Sequence, residues 1–503
     1  MKKSPLWRFP YGCGPAPEFH RLPLLGSTAV VLQQHGTTGL QQGRYGILDG
    51  SLLIGVPYDG GVPADFDGET TLPNVSIEEI EDAVIDGDSP ISSGTARAAL
   101  RHPVFRIVFF GAFVSNIGTW MQNVVLGAYA YNLTHSSTFV GVIIFAQLGP
   151  ALLLAMVGGL IADKVNRKKF LIVLSIEQLV FSLALALVVR TQSPSHFLLV
   201  LMVVMVGIGS AMFGPAYAAI LPGLVGRKDL SGAISLNSAQ MNASRVIGPV
   251  IGAVAYTLVG PAWVFAGNAL TYLFVVAALM MVTLPTLPKP LAPASRWREL
   301  TAGITTARED KVVGRCLVTV FLFSLLALAF VGQMPVEAAH SLGINPKSAS
   351  YGILYASFGT GALIGALSIG TVFAHTSKPM IVRVCLIGYS LSLCAFALLR
   401  APLPAYFVVA VVGAFYFAFI TALNTTLQSR LQDAVRGRVM ALWIMGFGGT
   451  VALGNLLIGP VVDTIGISDV LLFGAGVALL LAWYADVRAP ADQVDGFGAA
   501  LAQ

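Results

Sequence analysis

The chain of 503 residues is 55% hydrophobic and only 11% charged, with a formal net charge of +5 and a mean hydropathy of +0.77. A soluble domain carries about 25% charged residues, so this composition excludes an ordinary soluble protein and points to the polytopic membrane class. The pI near 9.0 is assigned to loops beside membrane helices rather than to nucleic acid, because Lys and Arg fix the orientation of such helices.

Residues 1–100 stand apart from the rest. They are rich in Gly and Pro and carry acidic residues from Asp59 to Asp88. No stretch of them has the apolar periodicity of a core, which predicts a mostly disordered cytoplasmic tail; a small β-rich domain is the alternative. Within it, residues 52–56 read as a strand. Ser76-Ile77-Glu78-Glu79 opens a short helix with a capping box that runs to Val84. The first residues lack the apolar run of a cleavable signal peptide.

From Phe105 onward, twelve apolar runs follow, each near the roughly 20 residues needed to cross a bilayer core. The first six lie at 104–130, 139–162, 170–189, 197–221, 233–259 and 262–284. The second six lie at 313–335, 350–374, 380–399, 404–427, 438–462 and 468–487. Cations crowd the loops on one side: Lys164 to Lys169, Arg227 and Lys228, the stretch from Lys289 to Arg315, Lys378 and Arg383, and Arg430 to Arg438. The other side holds Arg190, Lys347 and Arg400. That asymmetry predicts cytoplasmic N- and C-termini. The expected organisation is a tail at 1–100, a six-helix bundle at 101–284, a cytoplasmic linker at 285–312, a second bundle at 313–488 and a short tail at 489–503.

The halves repeat. Gly226-Arg227 recurs as Gly437-Arg438, and the Ile247-Gly248-Pro249-Val250 run recurs as Ile458-Gly459-Pro460-Val461; Gly159 and Gln122 recur as Gly370 and Gln333. All share one register, which predicts two parallel copies related by an axis along the membrane normal, one architecture of secondary transporters.

Between the second and third runs stands Gly159-x-x-x-Asp163-Lys164-x-Asn166-Arg167-Lys168-Lys169. This segment resembles the loop signature of the major facilitator superfamily, and the resemblance covers nearly everything after residue 100. Asn166 stands where that family usually has Gly, and its tolerance of left-handed backbone keeps the turn. Gly248-Pro249-x-x-Gly252-Ala253 is similar to the exporter motif of the same family. Ser115-Asn116-Ile117-Gly118-Thr119-Trp120-Met121-Gln122, the Arg245–Pro249 run and Gly267-Asn268 look like its enterobactin-exporter and transmembrane-secretion-effector branch. The implied fold is an all-α polytopic protein of twelve transmembrane helices in two six-helix repeats.

The resemblance implies roles for several residues. Gly159, Asp163, Lys164, Arg167 and Lys168 would form a conformational latch on the cytoplasmic side. The first, fourth, seventh and tenth spans would line the substrate cavity and bring Asn116, Trp120, Gln122, Asn123, Tyr217, Gln333, Asn424 and Gln428 to it. These are neutral and aromatic, which suits an amphipathic organic solute. Gly248, Pro249 and Gly252, with Gly459 and Pro460, mark bending points, since each proline removes one helical hydrogen bond. Arg245 falls inside the fifth span, where a charge must face a cavity or a partner rather than lipid. Its alternatives are an anionic substrate group and a structural tie to neighbouring carbonyls. Glu177 and Glu337 are the acidic candidates for proton coupling.

No GxxxxGK[ST] loop is present to bind ATP, and no HExxH or GxSxG motif indicates hydrolysis. Cys13, Cys316, Cys385 and Cys394 form no CxxC pair, and the histidines are scattered near span ends. The expectation is a non-enzymatic, cofactor-free and metal-free transporter in the inner (plasma) membrane. It would act as a monomer with no nucleic-acid partner, exporting a siderophore, drug or other amphipathic small molecule by alternating access with proton coupling. An importer of a small metabolite and a non-transporting membrane sensor or scaffold are the alternatives.

Overall fold

The computed structural model describes residues 19–24, 27–32, 46–48, 51–54, 94–154, 161, 165–226, 228–283, 304–374, 376–431 and 433–485. The chain divides into two units, Met1–Ser89 and Pro90–Gln503. In the first, strands β1 (Phe19–Leu24), β2 (Ser27–Leu32), β3 (Gly46–Leu48) and β4 (Ser51–Ile54) form a sheet of order β1-β2-β4-β3. β1 pairs antiparallel with β2, β4 parallel with β2, and β3 antiparallel with β4. The strand expected at 52–56 overlaps β4. The helix expected from Ser76 to Val84 lies outside the described residues.

The second unit is an all-α membrane bundle. Eleven of its described helices are long and apolar enough to span a bilayer: Pro103–Thr134, Ser137–Leu154, Arg167–Val189, His196–Ala218, Leu230–Val259, Pro261–Met281, Ala349–Gly370, Lys378–Leu398, Pro402–Arg430, Leu442–Ile465 and Ile467–Tyr484. They match the first six predicted spans and the eighth to twelfth, with ends within four residues except where the description of the second stops at Leu154.

The seventh span is present but interrupted. An α-helix, Lys311–Leu322, passes into a π-helical turn, Phe323–Ala327. A short 3₁₀ segment, Ala329–Val331, follows, and then a final helix, Met334–His340. Pro335, which has no N–H to give, stands in the first turn of that last helix. The break frees backbone carbonyls, and in a bilayer these need donors from the protein. The Tyr389 hydroxyl donates to the Ala327 carbonyl at 2.7 Å, and the Tyr355 hydroxyl to that of Val331 at 3.3 Å. The eleventh span holds a second π-helical turn, Met445–Gly449.

Helix ends are closed by side chains. Asn166 caps the third span by accepting the Lys169 N–H, and Ser195 caps the fourth by accepting that of Leu198. Arg167 donates to the Ala219 carbonyl at 3.0 Å and Lys168 to that of Val282 at 2.7 Å. Both carbonyls sit at helix C-termini, where cations are favoured by the helix dipole.

The six-helix halves meet along two matched pairs of spans, the second with the eleventh and the fifth with the eighth. The repeat register exchanges one pair for the other. Glycines set the approach. Added Cβ atoms would lie 2.8 Å from the Ser137 carbonyl at Gly459 and 2.9 Å from the Arg245 carbonyl at Gly359; at Gly141 one would run into the Asn455 carbonyl. Small residues of this kind bring membrane helices into close contact.

Candidate functional site

Between the halves lies a cavity of about 290 Å³. Trp120, Asn123, Val124 and Gly127 of the first span face it, at helical spacing of three and four residues. The second span contributes Gln147 and the fifth Arg245. From the other half come Tyr351, Tyr355 and Phe358 of the eighth span, Tyr416 and Phe417 of the tenth, and Phe447 and Asn455 of the eleventh. Phe447 lies in the π-helical turn, a distortion that frequently marks functional positions. The walls are apolar, with these seven aromatic residues standing among aliphatic ones such as Ile143, Ile144 and Leu328. Asn123 accepts a hydrogen bond from the Gln147 amide, which fixes two of the polar groups.

Arg245 is the fixed charge of this chamber. By helix rise it stands about 22 Å along the fifth span, and an arginine at that depth costs about 2.5–3.5 kcal/mol on insertion scales. Its guanidinium lies 5.1 Å from the ring centre of Trp120 and 4.8 Å from that of Phe417. Desolvated cation–π contacts offset such a cost by up to about 2 kcal/mol each. Trp120 belongs to one half and Phe417 to the other, so one side chain bridges the boundary. Its Nε is buried with no hydrogen-bond partner.

The other residues named from sequence fall in three places. Gln122 is buried within the first half, where its side chain accepts a hydrogen bond from Asn268 at 2.8 Å. Asn268 in turn lies 3.4 Å from the Tyr272 hydroxyl, which is 3.5 Å from that of Thr119. Tyr217 stacks on Phe213 in an apolar cluster of the same half. Asn116 is half-buried and is not among the cavity-lining residues. Asn424 accepts from Gln428 at 2.8 Å on the tenth span, away from the described lining. Gln333 is fully buried at the boundary and donates to the Ser137 carbonyl at 3.3 Å. The structure thus brings Trp120, Asn123 and Arg245 together and sets the other six elsewhere.

Gly248 and Gly252 pack the fifth span on the first. Added Cβ atoms there would lie 2.6 Å from the Trp120 Cβ and 2.9 Å from the Met121 carbonyl. The fifth span runs as one helix through Pro249, and the eleventh through Pro460. Gly459, the repeat partner of Gly248, instead faces the opposite half.

Glu177 stands between the third and fourth spans, and neither of its carboxylate oxygens has a hydrogen-bond partner. Gly209 makes room for it, since a Cβ there would collide with Oε2. Glu337 is 1% exposed and accepts from Ser341 at 2.9 Å. It belongs to the packing of the seventh span rather than to the cavity lining. Gly159, Asp163 and Lys164 lie outside the described residues. Arg167 and Lys168 engage carbonyls of their own half.

One cross-half contact has no counterpart in the sequence reading. Asp463, near the end of the eleventh span, covers the N-terminus of the second. It accepts from Ser137 N at 2.7 Å, Thr138 N at 2.9 Å, Thr138 Oγ1 at 2.6 Å and Ser136 Oγ at 3.0 Å. Ser136 itself accepts the next N–H, from Phe139. The unpaired N–H groups of that helix start are thereby accounted for. At the same end, Thr257 of the fifth span donates to the Lys347 carbonyl at 2.7 Å, and the rings of Tyr131 and His340 meet edge-on at 6.0 Å. Asp463 follows Gly459-Pro460 closely in the sequence, but its partners lie more than 300 residues away.

Comparison with known proteins places this geometry among transporters. The family model described as transmembrane secretion effector matches residues 94–499. The enterobactin exporter EntS of Shigella boydii serotype 4 (strain Sb227) is 28% identical over 365 residues, covering 71% of this chain and 85% of that protein. EntS of Escherichia coli O139:H28 (strain E24377A / ETEC) gives the same values. Among solved structures, the nucleoside transporter NupG superimposes with a TM-score of 0.62 at 14% identity, covering 76% of this chain and 98% of that one. A bacterial homolog of the human lysosomal transporter Spinster, in an inward-facing and unoccupied conformation, gives 0.58 at 13% identity, covering 76% and 97%. At these identities the likeness is one of fold.

Proposed function

Because this chain belongs to the transmembrane secretion effector family of the major facilitator superfamily, we propose that it is a proton-coupled exporter of amphipathic organic molecules, acting as a monomer in the inner membrane with both termini cytoplasmic. The observation that carries this reading is the apolar chamber, rich in aromatic residues, that is walled by both halves and bridged by Arg245. A cargo held there touches both halves at once. Rocking of the halves then follows cargo binding only through a difference in affinity between the two states.

In this reading the Asp463 end faces outward. Asp463, Thr257 and Gln333 close that face, while the loop carrying Asp163 closes the cytoplasmic face in the opposite state. Glu177 is the proton carrier, beside the buried Thr119–Tyr272–Asn268–Gln122 chain that leads toward the first span. Siderophores, including enterobactin, and aromatic drugs or metabolites are the cargo classes to try first, given the EntS relatives and the aromatic walls.

The test is transport in proteoliposomes of purified full-length protein under an imposed pH gradient. Cargo-dependent proton movement with at least one member of a panel of siderophores and aromatic amphipaths is the expected result. Its absence across the panel, in liposomes whose protein retains native helicity, would reject the exporter reading.

A further inference from the structure

Among the described residues that line the cavity, Arg245 is the one fixed positive charge, and there is no Asp or Glu. Arg245 forms no hydrogen bond among the described residues, and its buried Nε is left without an acceptor. Tyr355 and Tyr416 stand near enough to interact with it electrostatically, but their neutral hydroxyls bring no negative charge. Arg245 is half-buried, and a guanidinium drawn from bulk water into such a cavity gains from a paired, hydrogen-bonded anion. The two rings supply no counter-charge.

Trp120 and Phe417 hold the guanidinium carbon 5.1 and 4.8 Å from their ring centres. The N–H donors of a guanidinium form a planar fork that matches an oxyanion with two parallel bonds. Tyr351, Tyr355, Phe358 and Phe447 line the same cavity, a wall suited to flat apolar surface.

We infer that the cargo of this cavity is an aromatic organic acid in its anionic form, its acid group paired with Arg245 and its ring system packed among the tyrosines and phenylalanines. This rests on the reading of the cavity as the cargo site. It adds a selectivity: permanently cationic amphipaths are excluded, because a second positive charge would meet Arg245 with no carboxylate to screen it. Neutral analogues bind more weakly, since they fill the aromatic wall but leave the guanidinium without a counter-charge.

The test uses three probes of one shape: 2-naphthoate, 2-naphthalenemethanol and (2-naphthylmethyl)trimethylammonium. Binding to the purified full-length protein in detergent is measured by equilibrium dialysis. Naphthoate should bind at least tenfold more tightly than the alcohol, and the ammonium should not bind measurably. Arg245→Gln should bring naphthoate to the level of the alcohol while moving the alcohol by less than twofold; Arg245→Lys should keep part of the preference for the acid. The wild-type comparison stands even if a variant does not fold. The inference is overturned if naphthoate does not bind at millimolar concentration, if the alcohol or ammonium binds as tightly, or if well-folded Arg245→Gln keeps the preference. Naphthoate binding without export from proteoliposomes would instead count against the transport reading and leave the cavity's selectivity for aromatic anions standing.

Discussion

Asp463 accepts the backbone N–H of Ser137 at 2.7 Å across the boundary between the halves. A side chain of one half thus serves as the helix cap of the other, and the cap exists only while the two ends are together. A carboxylate at a helix N-terminus also interacts favourably with the helix dipole. Asp463→Ala should weaken this closed end by about 1 kcal/mol, the usual cost of losing a capping side chain, or roughly fivefold in the closed-to-open ratio. Spin labels at Gln192 and Ala401, both exposed, would report it as a larger long-distance population. An unchanged distribution would mean that the cap is local and holds nothing shut.

Gly141 and Gly459 offer a steric version of the same experiment. Gly141→Val would push a side chain into the Asn455 carbonyl and keep the second and eleventh spans apart. Transport should fall at least tenfold, with membrane insertion retained. Gly476→Ala is the matched control, because nothing lies within 4 Å of its added Cβ; its activity should stay within a factor of two. Normal transport by Gly141→Val would show that this close approach is dispensable.

Glu177 is separated from Arg245, so proton and cargo can be tested apart. Glu177→Gln should abolish cargo-driven proton uptake while naphthoate binding changes by less than threefold. The two readouts are intravesicular pH and equilibrium dialysis. Retained proton coupling in this variant would assign the proton to another group.

A pH-dependent tether joins the segment before the first span to the fifth. Asp229 accepts from Gly94 N at 2.9 Å, and its other oxygen lies 2.9 Å from His102 Nε2. Donation from the Gly94 N–H, and then from His102, holds the Asp229 carboxyl below its ordinary value of 3.8. A depressed carboxyl contributes stability above its unfolded value and loses it as pH falls through its folded value. Hydrogen-exchange protection of residues 94–101 should therefore be insensitive to Asp229 from pH 7 to about 4 and fall below that. Asp229→Asn should lower the protection throughout. Equal protection in both proteins at pH 7 would remove the tether.

Much of the bundle could be read directly, because a bilayer demands long apolar runs and places cations between them. The interruption of the seventh span could not, since Phe323 to Val331 is as apolar as any unbroken helix and hydropathy is blind to a π turn. Arg245 declared itself by being charged at depth. Gln122 misled because adjacent residues on a helix point about 100° apart: Asn123 faces the chamber and Gln122 faces Asn268. The aromatic walls were hidden for a different reason. Tyr351, Tyr355 and Phe358 share one helical face, but lipid and cavity both accept aromatic residues, so periodicity alone cannot say which of them that face meets.

Tyr355 belongs to two accounts at once, since the residue lines the chamber and its hydroxyl donates to the Val331 carbonyl in the broken seventh span. A guest that draws this hydroxyl toward itself leaves that carbonyl to find another donor in a place without bulk water. Filling the chamber and reshaping the fracture in its neighbouring helix are then a single event, joined at one oxygen atom.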